Sequence, residues 1–228
     1  QHSLINIQQV IGSNHGDTMM GNQFDNILRG GTGNDLLSGG GGNNKLDGGG
    51  GINTVSYAGA AGGGSVDLSA GSASNNGAGG HDILLNIQNI IGSDYDDILI
   101  GDSGNNRIQA GKGDDILIGL GGNNYLDGGA GINTVSYERD IAGVSVDLST
   151  GSANNGFGGT DTLVNIQKVI GSSFDDVLSS GRGYSHIDGG AGNDTLMIKG
   201  DMASRAILDG GLGDDLFIAG NGVNQFIG

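Results

Sequence analysis

Apolar side chains recur at every ninth residue through most of the chain, and most are followed two or three residues later by a glycine or another small residue. An amphipathic helix needs apolar positions three and four residues apart, so this spacing excludes one. Each block instead predicts a glycine turn and a three-residue strand whose middle side chain points inward. Those inward residues are Met19, Leu28, Leu37, Leu46, Val55; Leu99, Ile108, Leu117, Leu126, Val135; Leu178, Ile187, Leu196, Phe217 and Phe226.

A longer period of about 80 residues contains the short one, with blocks that restart at Gly12, Gly92 and Gly171. We therefore predict a single solenoid over residues 1–228 with repeat units 1–82, 83–161 and 162–228, the last divergent and truncated. Segments 57–91 and 137–170 lack the short period and are expected to continue the solenoid through longer, irregular turns. Because the chain begins and ends inside a repeat, it is expected to be a piece of a longer protein.

The composition narrows the classes of function. The chain has 51 Gly, no Pro, no Cys and a formal charge of −16. Such acidity argues against nucleic acid as a partner and against membrane insertion. Acidity alone would serve solubility, but carboxylates placed at a fixed period favour neutralisation by a bound cation.

The clearest blocks have the form of Gly30-Gly31-Thr32-Gly33-Asn34-Asp35-Leu36-Leu37-Ser38. Positions in each block are numbered one to nine from such a first residue, so Asp35 is position six and Leu37 is position eight. The block matches G-G-x-G-x-D-x-U-x, and the chain resembles the RTX (repeats-in-toxin) family of calcium-binding nonapeptide repeats. The resemblance implies an all-β, right-handed parallel β-roll or β-solenoid, with 18-residue coils and several Ca²⁺ ions held between glycine-rich turns.

Stacking geometry supports calcium at position six. Equivalent Asp residues in adjacent coils would lie about 4.8 Å apart, where unbridged carboxylates repel by about 3.5 kcal/mol at an effective dielectric of about 20. One ion between them would reach both, since calcium–oxygen distances are about 2.3–2.6 Å. The predicted carboxylate ligands are Asp17, Asp35, Asp97, Asp115, Asp176, Asp194 and, if the irregular block before it keeps register, Asp215. Weaker ligands are predicted at Asn53 and Asn133, and turn carbonyls at Gly31, Gly33, Gly111, Gly113, Gly190, Gly192, Gly211 and Gly213.

Alternate blocks stack on the same edge, and this predicts a one-sided roll. All position-six Asp residues would lie on one edge. The opposite edge would carry a ladder of side-chain hydrogen bonds through Asn26, Asn44, Asn106, Asn124, Ser185 and Asn224. The alternative is that the Asp residues only hydrogen-bond their own turns.

Three further features leave alternatives open. His15, Tyr95 and Phe174 replace the glycine at position four, which predicts looser turns there. Asp67, Asp82, Asp147 and Asp161 are either isolated calcium ligands or ordinary turn residues. Ile98, Ile100, Ile116 and Ile118 form either an exposed apolar stripe that contacts a partner or a surface covered by a loop.

Nothing in the sequence predicts an enzyme: the four His are scattered and no Ser lies in a G-x-S-x-G elbow. The resemblance implies bacterial export, typically by type I secretion, and an extracellular or cell-surface location. We predict a structural module of an adhesin, surface layer or extracellular fibre that folds on binding calcium, with end-to-end or lateral self-association. The alternative is a carbohydrate-binding or folding-assisting appendage of a larger secreted enzyme, with surface glycans as ligands and Tyr57 and Tyr137 as recurring aromatics.

Overall fold

The computed structural model describes residues 7–199, 201 and 204–228. These residues form 25 strands and no helix, and hence none that could span a membrane. The strands up to the first irregular segment are β1 (Gln9–Ile11), β2 (Thr18–Asn22), β3 (Ile27–Arg29), β4 (Leu36–Gly40), β5 (Lys45–Asp47) and β6 (Thr54–Ser56). The next are β7 (Ser65–Asp67), β8 (Ser72–Asn75), β9 (Asp82–Leu85), β10 (Asn89–Ile91), β11 (Ile98–Ile100), β12 (Arg107–Gln109), β13 (Ile116–Ile118), β14 (Tyr125–Asp127) and β15 (Thr134–Ser136). The last are β16 (Ser145–Asp147), β17 (Ser152–Asn154), β18 (Thr160–Val164), β19 (Lys168–Ile170), β20 (Val177–Ser179), β21 (Tyr184–Asp188), β22 (Thr195–Met197), β23 (Arg205–Asp209), β24 (Leu216–Ile218) and β25 (Val223–Ile227).

The strands stack into two sheets that face each other. Sheet A has the order β1-β3-β5-β9-β8-β7-β11-β13-β15-β19-β21-β23-β25, and sheet B has the order β2-β4-β6-β10-β12-β14-β18-β17-β16-β20-β22-β24. Successive blocks alternate between the sheets, so two blocks make one coil. Leu28 pairs in parallel with Leu46, 18 residues later. The predicted all-β parallel solenoid is confirmed.

The core is a column of position-eight side chains between the sheets. Leu37, Leu46, Leu117 and Leu126 are fully buried, as are their equivalents in most other coils. The column loosens in the last coil, where Phe226 is 44% exposed and stacks edge-on against Phe217 at 5.5 Å between ring centroids. Strand propensity alone would not hold these three-residue strands, so burial of this column is the main apolar stabilisation of the fold.

The two irregular segments do more than lengthen turns. Each contains a three-stranded antiparallel meander inserted into one sheet, formed by β7–β9 in sheet A and by β16–β18 in sheet B. The expectation of a simple continuation with irregular turns was therefore wrong. Alternation in Val66–Leu68 gave the strand β7, but single alternating runs carry no information on pairing direction.

The meanders change which sheet each copy uses. The Asp-bearing turns of the first copy lead from sheet A into β2 and β4 of sheet B, whereas those of the second copy lead from sheet B into β11 and β13 of sheet A. The third copy returns to the first arrangement, with β20, β22 and β24 in sheet B. We name the two sides the A-to-B edge and the B-to-A edge.

The one-sided roll predicted from the sequence was therefore wrong. Within each copy the position-six Asp residues do share one edge, on which Asn53 and Asn133 also lie, but that edge changes from one copy to the next. Equivalent positions of successive copies are separated by an odd number of half-coils, a count that depends on how the irregular segments fold.

The isoleucine stripe is half covered. Ile98 is 42% exposed, but Ile100 and Ile118 at position nine are only 5% and 8% exposed. Asp67, which pairs with Ile100, forms an ion pair with Arg139 at 3.6 Å. The position-nine isoleucines are therefore not part of an exposed apolar stripe.

The irregular block of the third copy keeps register, although its residues 200, 202 and 203 lie outside the described part of the chain. Leu196 pairs with Phe217, 21 residues later, rather than with a residue 18 positions away. The three additional residues are absorbed before β23, and Asp215 therefore stacks on Asp194.

Candidate calcium sites

The position-six side chains point into the turns, where most of them are buried on both edges. In eight of them, one side-chain oxygen accepts the main-chain N–H of the position-six residue in the preceding coil. Asp17 N donates to Asp35 Oδ1 at 2.7 Å, and Asn26 N donates to Asn44 Oδ1 at 2.9 Å. The same bond joins Asp35 to Asn53, Asp97 to Asp115, Asn106 to Asn124, Asp115 to Asn133, Asp176 to Asp194 and Asp194 to Asp215. The predicted ladder exists in the first two copies, but it runs from side chain to backbone and includes Asp as well as Asn. In the third copy it was predicted wrongly, because Ser185 Oγ accepts the Gly181 N–H of its own turn, and Asn224 stacks on Ala206 with no partner for its Oδ1 among the described residues.

Turns with glycine at positions two and four share a backbone that only such residues adopt readily. Every predicted turn glycine has positive φ, for example +107° at Gly31 and +122° at Gly33. The full set is Gly31, Gly33, Gly111, Gly113, Gly190, Gly192, Gly211 and Gly213. On the opposite edges, Gly40 and Gly42 have the same sign of φ, and so do Leu120 and Gly122.

The Asn-bearing turns show what this backbone presents to position six. Asn44 Nδ2 lies 3.3 Å from the carbonyl oxygens of both Gly41 and Gly42, to which it donates. Asn124 Nδ2 donates to Gly121 O at 3.2 Å. The outer atom of the position-six side chain thus faces carbonyl oxygens of its own turn, and Asn meets them with N–H groups.

An Asp in the same place has no proton to offer. The Oδ2 atoms of Asp35, Asp115 and Asp194 are buried and have no hydrogen-bond partner among the described residues. An unpaired buried polar atom costs about 1–3 kcal/mol, and more when it is charged. A cation would remove this cost at all three positions.

The raised pKa values of these carboxylates also favour a bound cation. The pKa of Asp115 is raised to about 7, chiefly by burial and in smaller part by the neighbouring carboxylates of Asp97, Asp96 and Asp114. Burial likewise raises the pKa of Asp194 to about 6, with contributions from Asp176 and Asp215. Two carboxylates held this close without a counter-charge favour either a proton or a metal ion.

The chemistry of the donors selects the metal. Among the described residues, no group of three or more His, Cys, Asp or Glu side chains gathers in a way that could hold an ion. Each site would therefore combine one or two carboxylates with backbone carbonyl oxygens. Hard oxygen donors in a flexible turn suit Ca²⁺ better than Zn²⁺ or Mg²⁺.

The first Asp turn of each copy is built differently. Ser13, Ser93 and Ser172 occupy position two, and each N–H donates to Oδ2 of the position-six Asp at 2.6 Å. Their hydroxyls add bonds of 2.9, 3.0 and 2.8 Å to Asp17, Asp97 and Asp176. These turns are closed by hydrogen bonds, so the looser turns expected from His15, Tyr95 and Phe174 are absent. Sequence reasoning missed this arrangement, although a Ser in place of Gly at position two signals it.

Asn53 and Asn133 have their polar atoms occupied. Each Oδ1 accepts the N–H of the Asp below it, and each Nδ2 donates to a carbonyl oxygen, Asn86 O at 3.0 Å and Asn165 O at 3.1 Å. The prediction that they act as weak ligands stays untested, but a metal ion would have to replace one of these bonds.

The four isolated Asp residues serve the local structure. Asp82 Oδ1 accepts bonds from Asn44 and Asn76, while Tyr57 donates to its Oδ2 at 3.2 Å. Asp161 repeats the arrangement with Asn124, Asn155 and Tyr137. Asp67 and Asp147 each accept a bond of 2.6 Å from a serine two residues on. The turn-residue interpretation accounts for Asp67 and Asp147, whereas Asp82 and Asp161 lie in β9 and β18 and join distant turns by their hydrogen bonds.

A second ladder on the outside of the turns was not predicted. Side chains at position five accept the position-five N–H of the next coil, as in Asp114 N to Asp96 Oδ1 at 2.8 Å and Ile132 N to Asp114 Oδ1 at 2.8 Å. Asp and Asn at position five, next to position six, carry the signal in the sequence. Two rows of side-chain-to-backbone hydrogen bonds, at positions five and six, therefore connect the turns of successive coils.

Stacked glycine turns with inward carboxylates on a two-sheet parallel solenoid define a calcium-binding repeat module. The RTX calcium-binding nonapeptide repeat family matches residues 11–55, 88–111, 100–135, 170–197 and 207–228, and the chain belongs to this family. No curated protein matches the chain in sequence.

Proposed function

We propose that this chain is a structural module of a secreted or cell-surface bacterial protein, such as an adhesin, a surface layer or an extracellular fibre. It folds when several Ca²⁺ ions bind to the glycine turns. Asp35, Asp115, Asp194 and Asp215 supply the carboxylates, and the glycine turns supply carbonyl oxygens. The observation that carries this proposal is the buried Oδ2 of Asp35, Asp115 and Asp194, which has no hydrogen-bond partner in the part of the chain that the structure describes.

The energetics couple binding to folding. Without a cation, stacked carboxylates repel by about 3.5 kcal/mol per pair at an effective dielectric of about 20. The 51 glycines add an entropic penalty on ordering, since Gly loses more backbone freedom than other residues. A domain is stable by only about 5–15 kcal/mol, so a few such sites decide whether it folds. Extracellular calcium, at millimolar concentration, would provide the ions after export.

A calcium titration of chelated protein tests the proposal. Far-ultraviolet circular dichroism is expected to gain β signal cooperatively, and calorimetry is expected to record several ions per chain. Equal Mg²⁺ is the control, because its small, strongly hydrated ion suits this donor set poorly. A spectrum that is already that of a β-protein before calcium and unchanged after it would sink the proposal.

The self-assembly part of the proposal has its own test. Electron micrographs of calcium-loaded protein are expected to show end-to-end or lateral association. A field of monodisperse particles at all protein concentrations would leave a spacer role and remove the fibre.

The two recurring aromatic residues that suggested a carbohydrate-binding module are buried. Tyr57 and Tyr137 are 4% and 2% exposed, and their hydroxyls bond to buried Asp residues. Neither ring is accessible to a sugar. No observation therefore favours this alternative over the structural module.

A further inference from the structure

The residue at position two separates two kinds of Asp turn. Gly31, Gly111 and Gly190 have φ of +107°, +115° and +96°. Ser13, Ser93 and Ser172, at the same position one coil earlier, lie outside this left-handed region, which side chains with a Cβ rarely adopt. The direction of the position-two N–H therefore differs between the two kinds of turn.

In the serine turns, that N–H satisfies the oxygen that is left unpaired in the glycine turns. Ser93 N lies 2.6 Å from Asp97 Oδ2, and Asp97 Oδ1 accepts bonds from Ser93 Oγ at 3.0 Å and Gly64 N at 2.6 Å. Asp115 Oδ2, one coil later, has no partner among the described residues. The carboxylates of Asp97 and Asp115 occupy the same position but differ in their hydrogen bonds: N–H and O–H groups donate to Oδ2 and Oδ1 of Asp97, whereas none donates to Oδ2 of Asp115 among the described residues.

The serine turn is further closed by its own hydroxyl. The N–H at position four donates to the serine Oγ at 3.1 Å in all three copies, from His15, Tyr95 and Phe174. A side chain at position four is compatible with this turn because the turn does not need the positive φ that Gly113 has at that position.

The Asn-bearing edges repeat the distinction without any charge at position six. Asn22 N donates to Asn26 Oδ1 at 2.8 Å, and Asp102 N donates to Asn106 Oδ1 at 2.8 Å. Both turns have a residue other than Gly at position two, and both lie one coil before turns with positive φ at positions two and four. The two turn types therefore occur without an Asp at position six, and they differ in the φ of position two, which is positive at Gly40 and also at Leu120.

We propose that the residue at position two decides whether an Asp turn takes calcium, and that Ser13, Ser93 and Ser172 make the first Asp turn of each copy independent of calcium. This inference rests on the proposed function, because it assigns the calcium sites to the glycine turns. It reduces the number of calcium-bound carboxylates expected from the sequence, since Oδ2 of Asp17, Asp97 and Asp176 already accepts the N–H of the serine at position two.

The arrangement gives each copy a starting surface for calcium binding. A serine turn closed by hydrogen bonds presents a fixed position-six N–H, and the next Asp accepts it, as Asp115 does from Asp97 at 2.8 Å. That bond fixes the orientation of Asp115 through Oδ1 and leaves Oδ2 available to bind the ion. A preorganised ligand loses less entropy on binding than a free one.

Ser93→Gly tests the inference against Ser93→Ala. Glycine permits the positive φ of the calcium turns, so Ser93→Gly is expected to bind one more Ca²⁺ per chain than wild type in saturating calorimetric titration. Its metal-free form is expected to unfold at a lower temperature. Alanine keeps the N–H bond to Asp97, so Ser93→Ala is expected to bind the wild-type number of ions.

Asn22→Gly is the matched control, because it makes the same backbone change beside Asn26 and is expected to add no ion. Ser172→Gly repeats the test in the third copy and serves if Ser93→Gly does not fold. Glycine variants that fold in calcium and bind the wild-type number of ions would overturn the inference. Loss of one ion in Ser93→Ala would also overturn it, since the hydroxyl would then be a ligand. A wild-type chain that binds no Ca²⁺ would instead remove the proposed function.

Discussion

Replacement of Asp115 by Asn tests the calcium account at one atom. Asp115 is fully buried, its Oδ1 accepts the Asp97 N–H, and its Oδ2 has no partner among the described residues. Asn is nearly the same shape, keeps the Oδ1 bond and places an amide N–H where Oδ2 stood. Asn124 on the opposite edge already makes this arrangement, with Nδ2 at 3.2 Å from Gly121 O.

The expected magnitude follows from the terms that the substitution removes. The repulsion between Asp97 and Asp115 is about 3.5 kcal/mol at 4.8 Å and an effective dielectric of about 20. The unpaired oxygen costs about 1–3 kcal/mol in addition. Because relaxation and solvent reduce both terms, we expect about 2 kcal/mol of added stability in the metal-free protein. For a chain of this size that corresponds to about 4–8 °C in the unfolding midpoint.

The assay is thermal unfolding in chelator and in saturating calcium at pH 8, where Asp115 is ionised since its pKa is about 7. Asp115→Asn is expected to raise the metal-free midpoint, to reduce the further rise on adding calcium, and to bind one ion fewer. Asn124→Asp is the opposite substitution: it sets a carboxylate against Asp161, whose Oδ1 now accepts Asn124 Nδ2 at 2.8 Å, and it should destabilise the metal-free form. A lower metal-free midpoint for Asp115→Asn, with an unchanged number of ions, would refute the reasoning.

Two further outcomes are expected. Burial raises the pKa of Asp140 to about 6. The contribution of Asp140 to metal-free stability is therefore fully present below its unfolded pKa and is lost as pH rises through about 6. Thermal unfolding midpoints of Asp140→Asn between pH 5 and 8 should vary less than those of wild type, and an identical pH profile would contradict this. Gly113 has φ of +121° and a Cβ there would lie 2.5 Å from the Tyr95 carbonyl carbon, so Gly113→Ala should lose about 1–3 kcal/mol by denaturant unfolding. Gly104→Ala, whose Cβ would contact only Asp102 Oδ1 at 3.2 Å, is its control and should be nearly neutral.

The nine-residue period predicted the inward column and the position-six turns, because these depend only on local spacing, whereas the coil of two blocks was implied by the resemblance to the RTX family. Leu37 and Leu117 are fully buried as expected. The prediction that Asp115 carries a calcium turn follows from the same spacing and awaits the ion count.

The remaining features depend on contacts that spacing does not encode. The edge on which every later Asp lies depends on whether segment 57–91 passes between the sheets an odd or an even number of times. The same side-chain pattern is compatible with an odd and with an even number. Turn type at Ser93 depends on backbone φ, for which a single Ser in place of Gly was the available signal. The burial of Ile100 depends on tertiary contacts, which no local sequence pattern predicts.

The exchange of edges gives the rod a two-fold screw axis along its length. In each sheet, nine strand steps separate equivalent strands of the first and third copies, β3 from β21 and β2 from β20, or about 43 Å at 4.8 Å per strand. The meanders alternate between the sheets. The same feature therefore lies on one side of the solenoid at every second copy, and on the opposite side in the copy between. Copies added in this register would lengthen the solenoid with two equivalent sides, a geometry suited to contacts on both sides at once.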